Sequence, residues 1–334
     1  MIGITLGDAN GVGPEIAVRA VNEGKMGEDC VFYGDSSVIE YASRRLDIPI
    51  EIVNERASVR SGRNRAGNAA PLLRLKDASS LASHDISPGT VVPRVGAAAL
   101  LYVEQASIDA LAGRIDAVVT LPINKEASRI KQPNFTGHTD YIAELCGNPP
   151  VTMMLVSEQL IVTHISTHVS IAEAVRRVTI DRIVEVIRLT DSAVRKLRPR
   201  AKIAVAGLNP HAGEGGAFGN EEELAILPAI ELARSEGIDA YGPEPGDTVF
   251  HNAAHNQRFD AVVCMYHDQG HIAMKSRDFD GAVNVTLGLP IVRTSVDHGT
   301  AYDIAYQGIA RTRSFELAIA MARKLIDKKT EEQS

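Results

Sequence analysis

Residues 179–207 read TIDRIVEVIRLTDSAVRKLRPRAKIAVAG, and the fold is decided there. Thr179–Leu197 carries its apolar residues at helical spacing. Ile203–Gly207 is a short apolar run of the kind that forms a strand buried on both faces. The same succession recurs in both directions. Ile2–Leu6, Val31–Tyr33, Ala117–Leu121, Val151–Val156, Leu160–His164, Ala261–Met265 and Ala282–Leu287 also read as buried strands. Between them, Arg94–Arg114 places Val95, Ala99, Val103, Ala106 and Ala110 at helical spacing, and Asn220–Gly237 and Ser314–Lys328 read similarly. Strands alternating with helices predict an α/β fold with a mainly parallel sheet. Sites then belong at the carboxyl ends of strands.

At 334 residues the chain exceeds what one hydrophobic core usually serves, which predicts two domains. Hydrophobic content of 45% against 23% charged residues is a soluble, globular balance. The net charge is −7 and no block of Lys and Arg reaches about five residues, which argues against a nucleic-acid partner. Tryptophan is absent, so a ring platform for stacked bases is not expected either. The opening MIGITLGDANG has no basic n-region, and no run of ~18 apolar residues occurs, so the expectation is a cytoplasmic protein without a membrane partner. Cys30, Cys146 and Cys264 are few and far apart, and read as buried small residues in a reducing compartment. Asn54–Asn68 reads as an exposed polar excursion, and the charged tail Asp327–Ser334 as fraying.

Five segments carry candidate chemistry. Gly7-Asp8-Ala9-Asn10-Gly11-Val12-Gly13-Pro14-Glu15 lies between a strand and a helix; it is either a plain turn or a close-approach loop, and it is not the G-x-G-x-x-G fingerprint. Thr136-Gly137-His138-Thr139-Asp140 opens a helix and suits either a cap or a phosphate. His168, His211 and His267 each follow a strand, and three neutral imidazoles make a Lewis-acid site; each taken alone is equally a structural histidine. His164, four residues before His168, is a partner of that site or merely packed. Lys275, Asn284 and Arg293 combine a cation, an amide and a guanidinium, a set that suits carboxylate plus phosphate or simple solvation. Asp297-His298-Gly299-Thr300-Ala301-Tyr302-Asp303-Ile304 is a small-residue loop able to lie against a flat ligand.

Together these strings resemble the 4-hydroxythreonine-4-phosphate dehydrogenase (PdxA) family, along nearly the whole chain. Gly137-His138-Thr139, Asn209-Pro210-His211-Ala212-Gly213-Glu214, Tyr266-His267-Asp268-Gln269-Gly270 and Asn284–Ala301 are its most specific segments. The resemblance implies a two-domain α/β/α architecture similar to isocitrate and isopropylmalate dehydrogenases, with the active site in the interdomain cleft. It implies one domain from residues 1–129 plus 304–334, and a second from 130–303 holding the metal ligands and the contacts of a homodimer with shared active sites. By motif position, His168, His211 and His267 resemble ligands of a divalent ion (Zn, Mg, Mn or Co). His138, Thr139, Lys275, Asn284 and Arg293 resemble substrate contacts. His298, Gly299, Thr300, Ala301 and Asp303 lie in what looks like the NAD loop. Lys275 and Asp247 are the catalytic candidates, with a water on the ion as a third possible base.

Ala9-Asn10, the second histidine in Thr163–His168, Gly270-His271-Ile272 and Ala301-Tyr302-Asp303-Ile304 depart from the commonest pattern. They are more similar to the branch acting on 4-phospho-D-threonate and 4-phospho-D-erythronate. That branch implies NAD-dependent oxidation of the 3-hydroxyl and decarboxylation to dihydroxyacetone phosphate. A second imidazole beside the metal is expected to bond a C2 hydroxyl and repel an ammonium. The alternatives are the vitamin B6 reaction on 4-hydroxythreonine 4-phosphate, a three-histidine zinc hydrolase, and a non-catalytic metabolite binder. The dihydrodiol branch lacks the Gly-His-Thr segment present here.

Overall fold

The computed structural model describes residues 1–55 and 70–331. Twelve strands follow in chain order: β1 (Ile2–Thr5), β2 (Cys30–Gly34), β3 (Glu51–Asn54), β4 (Leu72–Asp77), β5 (Ala117–Thr120), β6 (Thr152–Val156), β7 (Ile161–His164), β8 (Ile203–Ala206), β9 (Ala240–Glu244), β10 (Ala261–Cys264), β11 (Val283–Leu287) and β12 (Val292–Val296). The α-helices are α1 (Gly13–Asn22), α2 (Ser36–Leu46), α3 (Pro93–Leu111), α4 (Lys125–Lys131), α5 (His138–Leu145), α6 (Ile171–Arg176), α7 (Ile180–Leu197), α8 (Leu227–Ser235), α9 (Val249–Ala254), α10 (His267–Arg277) and α11 (Arg313–Glu331). All eight expected strands are present. β3, β4, β9 and β12 are additional; half-exposure hid the first three, and buried polar residues, Arg293 to Ser295, hid β12. Most of the Asn54–Asn68 excursion lies outside the described residues, as do the last three residues of the tail.

The chain divides into two compact units, one of Met1–Pro149 with Leu289–Ile326, the other of Pro150–Gly288 with Asp327–Ser334. Residues 130–149 and 289–303 thus fall in the first unit. The reason is local: α5 packs on α3, and β12 pairs in parallel with β5 through Arg293–Val118 and Thr294–Val119. In the first unit the strand order is β3-β4-β2-β1-β5-β12, and every pairing is parallel.

In the second unit the order is β11-β6-β7-β10-β8-β9. β7, β10, β8 and β9 run parallel, while β6 is antiparallel to both β7 and β11. Alternate residues of one strand feed two cores, as the period of a strand requires. Ile203, Val205, Val263 and Met265 pack with α7 and α8, whereas Ala204, Ala206, Val262 and Cys264 pack with α9 and α10. Helix α7 starts where the Thr179 hydroxyl accepts from the Arg182 amide at 3.4 Å. It stops because Arg198 precedes Pro199 and is forced into extended backbone, φ −135°.

No described helix is long and apolar enough to cross a membrane.

Candidate active site

Because β7, β10 and β8 are adjacent and parallel, their carboxyl ends stand side by side. His168 and His211 lie in the segments leaving β7 and β8, and His267 opens α10 just after β10. The structure brings two of them together, with the His168 and His267 ring centroids 5.6 Å apart. Two further imidazoles join that pair. His271 stacks on His267 at 3.6 Å, and His164 lies 4.8 Å from His271.

His211 stands apart from them. It lies on a turn in which His211, Ala212 and Glu214 all take left-handed backbone, φ 52°, 54° and 44°. Such strain in residues other than glycine persists only where the surroundings impose it. Here buried Glu222 does so, accepting from the Leu208 and Asn209 amides at 2.8 Å each and from the Asn209 side chain at 2.8 Å. Gln269 ties the turn to the head of α10, accepting from the Met265 amide at 2.7 Å and donating to the Gly207 carbonyl at 2.8 Å. Among the described residues no group of three or more His, Cys, Asp or Glu is assembled to hold a metal.

The chemistry of the individual donors nevertheless fits a cation. Nδ1 of His267 is bonded to Asp268 at 2.6 Å, and Nδ1 of His211 to Glu214 at 3.0 Å. A carboxylate at Nδ1 fixes the proton there and leaves Nε2 as the donor to a metal. Hydrogen bonding to Glu214 raises the pKa of His211. Burial pushes His164 down to about 3 and His271 down to about 4, so both are neutral near pH 7.

His164 does not serve as expected. It is fully buried, with Nδ1 on the Met153 carbonyl and Nε2 on His271, so neither nitrogen is left to meet a C2 substituent. Asp247 is exposed in the loop between β9 and α9, where its charge acts on His211. Lys275 is half-buried on α10, its ammonium 5.2 Å from the Phe279 ring. Asn284, on β11, has its buried Oδ1 without a hydrogen-bond partner.

A second cluster lies wholly within the first unit. Arg293 is only 2% exposed on β12 and donates to the Thr120 hydroxyl at 2.7 Å. Burial lowers its pKa to about 9, which leaves it charged at neutral pH. Burial also pushes His138 well below its usual value, helped by the charges of Arg293 and Lys125. The His138 Nε2 is buried with no partner. His138 begins α5, whose cap residue Gly137 offers no side chain to the free amides, and Thr139 follows it. A buried guanidinium and an exposed ammonium acting on an unsatisfied nitrogen at a helix start call for an anion. Lys125 was not anticipated, because a lone lysine after Asn124 gives no signal in sequence.

Also within the first unit, the Gly7–Glu15 loop and the Asp297–Ile304 loop meet. The Val12 amide donates to the Thr300 carbonyl at 3.0 Å, and a Cβ on Gly11 would stand 2.8 Å from that oxygen. The Tyr302 hydroxyl donates to Asp8 at 2.9 Å. Ala301 takes φ 42°, turning the chain, while His298, Gly299 and Asp303 are exposed. A Cβ on Gly299 would meet nothing within 4 Å, so the backbone there is open to a flat ligand.

Residues 26–322 match the family described as pyridoxal phosphate biosynthetic protein PdxA. A 4-hydroxythreonine-4-phosphate dehydrogenase from Desulforapulum autotrophicum is 43% identical, over 96% of this chain and 94% of its own. A D-threonate 4-phosphate dehydrogenase from Cupriavidus necator is 38% identical, over 97% of each. The crystal structure of a 4-hydroxythreonine-4-phosphate dehydrogenase from Klebsiella pneumoniae superposes with a TM-score of 0.85 at 37% identity, over 98% of this chain and 99% of that one. Dehydrogenase relatives of this extent set aside the zinc hydrolase and the non-catalytic binder: the chain belongs to the PdxA family and is an oxidoreductase.

Proposed function

We propose that this chain is an NAD- and divalent-metal-dependent dehydrogenase of 4-phosphorylated four-carbon hydroxy acids. In this reading it acts on 4-phospho-D-threonate or 4-phospho-D-erythronate and forms dihydroxyacetone phosphate and CO2. The observation that carries the reading is the buried Arg293 guanidinium, whose charge acts on His138, together with the buried, unpartnered His138 Nε2. That cationic cluster suits the phosphate of the acids named in the relatives.

In this reading His138, Thr139 and Arg293 grip the phosphate, and Lys275 and Asn284 orient the carboxyl end. His168, His211 and His267 would hold the ion, and His298, Gly299, Thr300, Ala301 and Asp303 would line the dinucleotide. A bound nicotinamide would supply the hydride acceptor for C3, and a bound divalent ion would supply the charge that acidifies the 3-hydroxyl. Lys275, as its neutral amine, or Asp247 takes the hydroxyl proton. The resulting 3-oxo acid is a β-keto acid. The C1–C2 bond breaks, CO2 leaves, and the electron pair stays on C2 until a proton is returned there.

The D-threonate 4-phosphate dehydrogenase name of the Cupriavidus relative supports a hydroxyl at C2. The vitamin B6 substrate is the second reading, supported by the name of the Desulforapulum relative. Large apolar side chains of the second unit, including Leu224, Ile272 and Phe279, are at least 66% exposed and support a homodimer with shared sites.

A substrate panel decides it: the three phosphorylated acids are compared by kcat/KM with NAD, following NADH absorbance and dihydroxyacetone phosphate. A preference for the amino acid would return the chain to the second reading.

A further inference from the structure

His164 and His271 are outside every role assigned above, yet their hydrogen bonds form one ordered chain. The Met153 carbonyl can only accept, so the His164 Nδ1 at 3.3 Å carries that ring's proton. Nε2 of His164 is then a lone pair. It faces Nδ1 of His271 at 3.2 Å, so the proton of His271 sits on Nδ1. The same Nδ1 lies 3.1 Å from the His267 carbonyl, which also accepts from it. One tautomer for each ring satisfies all three contacts.

The far end of this chain is a stack. The His271 ring covers the face of His267 at 3.6 Å with an interplanar angle of 12°. Asp268 holds the edge of His267 at Nδ1. The packing that keeps the chain in place is close: His164 is 0% exposed, and a Cβ on Gly270 would lie 2.5 Å from its Nε2. His267 is therefore braced on a face and at an edge, and the brace runs back through two buried rings to the backbone of β6.

We propose that His164 and His271 are positioning residues that fix the plane of the His267 imidazole for metal binding. The inference rests on the reading of His267 as a ligand. Neither residue touches the ion; His271 acts by stacking and by its shared proton, and His164 acts by receiving that proton. Partners behind a metal-bound histidine typically govern metal affinity by ~10–100-fold.

The test is titration of the metal-stripped, full-length protein with Co2+, reading affinity and the visible d–d bands. His164→Leu removes the acceptor, and His164→Gln restores an amide oxygen near the place of Nε2. His271→Phe keeps a ring on His267 but deletes the donor. The expected result is Co2+ binding weakened by roughly tenfold or more with shifted bands in His164→Leu and His271→Phe, and recovery to near wild type in His164→Gln. Should His164→Leu fail to fold, His271→Phe alone carries the comparison. Wild-type affinity and spectrum in His271→Phe, or no recovery in His164→Gln relative to His164→Leu, would overturn the proposal. A wild-type protein that binds no Co2+ at all would overturn the metal reading itself, and the positioning role with it.

Discussion

Gly270 and His164 are in contact across the interface of α10 with β7, and a methyl group on Gly270 would stand 2.5 Å from the imidazole Nε2 and 2.9 Å from the Cys264 sulfur. In an ordinary helix, glycine to alanine is favourable by up to ~1 kcal/mol. Here the methyl meets two buried side chains that have nowhere to move, and overpacking costs ~1–3 kcal/mol. The clash wins. Gly270→Ala is expected to lower stability by about 1–2 kcal/mol net, measured by urea unfolding. A stabilised variant would mean that His164 is free to shift.

Glu214 gives a different outcome, because it is exposed and its carboxylate bonds His211 Nδ1 at 3.0 Å. Glu214→Ala is expected to leave stability within ~0.5 kcal/mol but to weaken metal affinity by ~10–100-fold. His211→Ala is expected to abolish turnover with the fold retained. Full activity of His211→Ala after exhaustive chelation would remove it from the ligand set.

Acid should unfold the protein partly through His164. Its folded pKa, about 3, is depressed from the 6.5 of an exposed imidazole by burial first and by the neighbouring His271 second. The unfolded chain therefore binds the extra proton, and stability is intact above 6.5 and lost progressively as pH falls toward 3. At pH 5.5 this single group should cost roughly 1.4 kcal/mol relative to pH 7.5. Denaturant unfolding at the two pH values, compared between wild type and His164→Gln, isolates the effect. Identical pH slopes in the two proteins would count against it.

These buried contacts also mark what was legible in sequence. The runs of β1, β2, β5–β8, β10 and β11 were readable because nearly every residue in them is buried and apolar residues dominate, with Thr163, Asn284 and Thr286 as isolated polar positions. β9 and β12 were not, because Tyr241–Glu244 and Arg293–Ser295 mix polar side chains whose burial depends on neighbours distant in the chain. In the site, the motifs located the three strand-end histidines and Arg293. They could not reveal that Glu222 anchors a left-handed turn at His211, nor that His271, rather than His164, is the imidazole against His267. Those facts depend on tertiary contacts, 107 residues apart in the case of His164 and His271.

Arg293 should discriminate geometry from charge. Its guanidinium is buried and donates from Nη2 to Thr120 at 2.7 Å, which fixes the plane of the fork. Arg293→Lys preserves the charge but not the fork. Hydrogen bonds to charged groups are worth ~1.5–3 kcal/mol each, so kcat/KM for the phosphorylated acid should fall by roughly 10–100-fold. The unphosphorylated acid should be a poor substrate for both proteins and respond far less to the substitution. Equal turnover of D-threonate with and without its phosphate by the wild type would show that the pocket of His138 and Arg293 is not the phosphate site.

Lys275 and Asp247 remain to be ranked as proton acceptors, and their placement ranks them. His267, His271 and Lys275 recur every four residues along α10 and so share one face of the helix. The ammonium of Lys275 acts electrostatically on His271, and the side chain is half-buried. Asp247 is exposed on its loop, and its charge acts on His211, behind the Glu214 hydrogen bond. The group nearer the stacked imidazoles is better placed to reach a substrate hydroxyl. Lys275→Met is therefore expected to lower kcat by ~10²–10⁴-fold, the usual contribution of a positioned acid–base group. Asp247→Asn should change kcat by less than about tenfold and act mainly through KM. Separate determination of kcat and KM at saturating NAD and metal checks both. If Asp247→Asn loses kcat and Lys275→Met only raises KM, the proton passes to Asp247 and Lys275 becomes a substrate-binding cation.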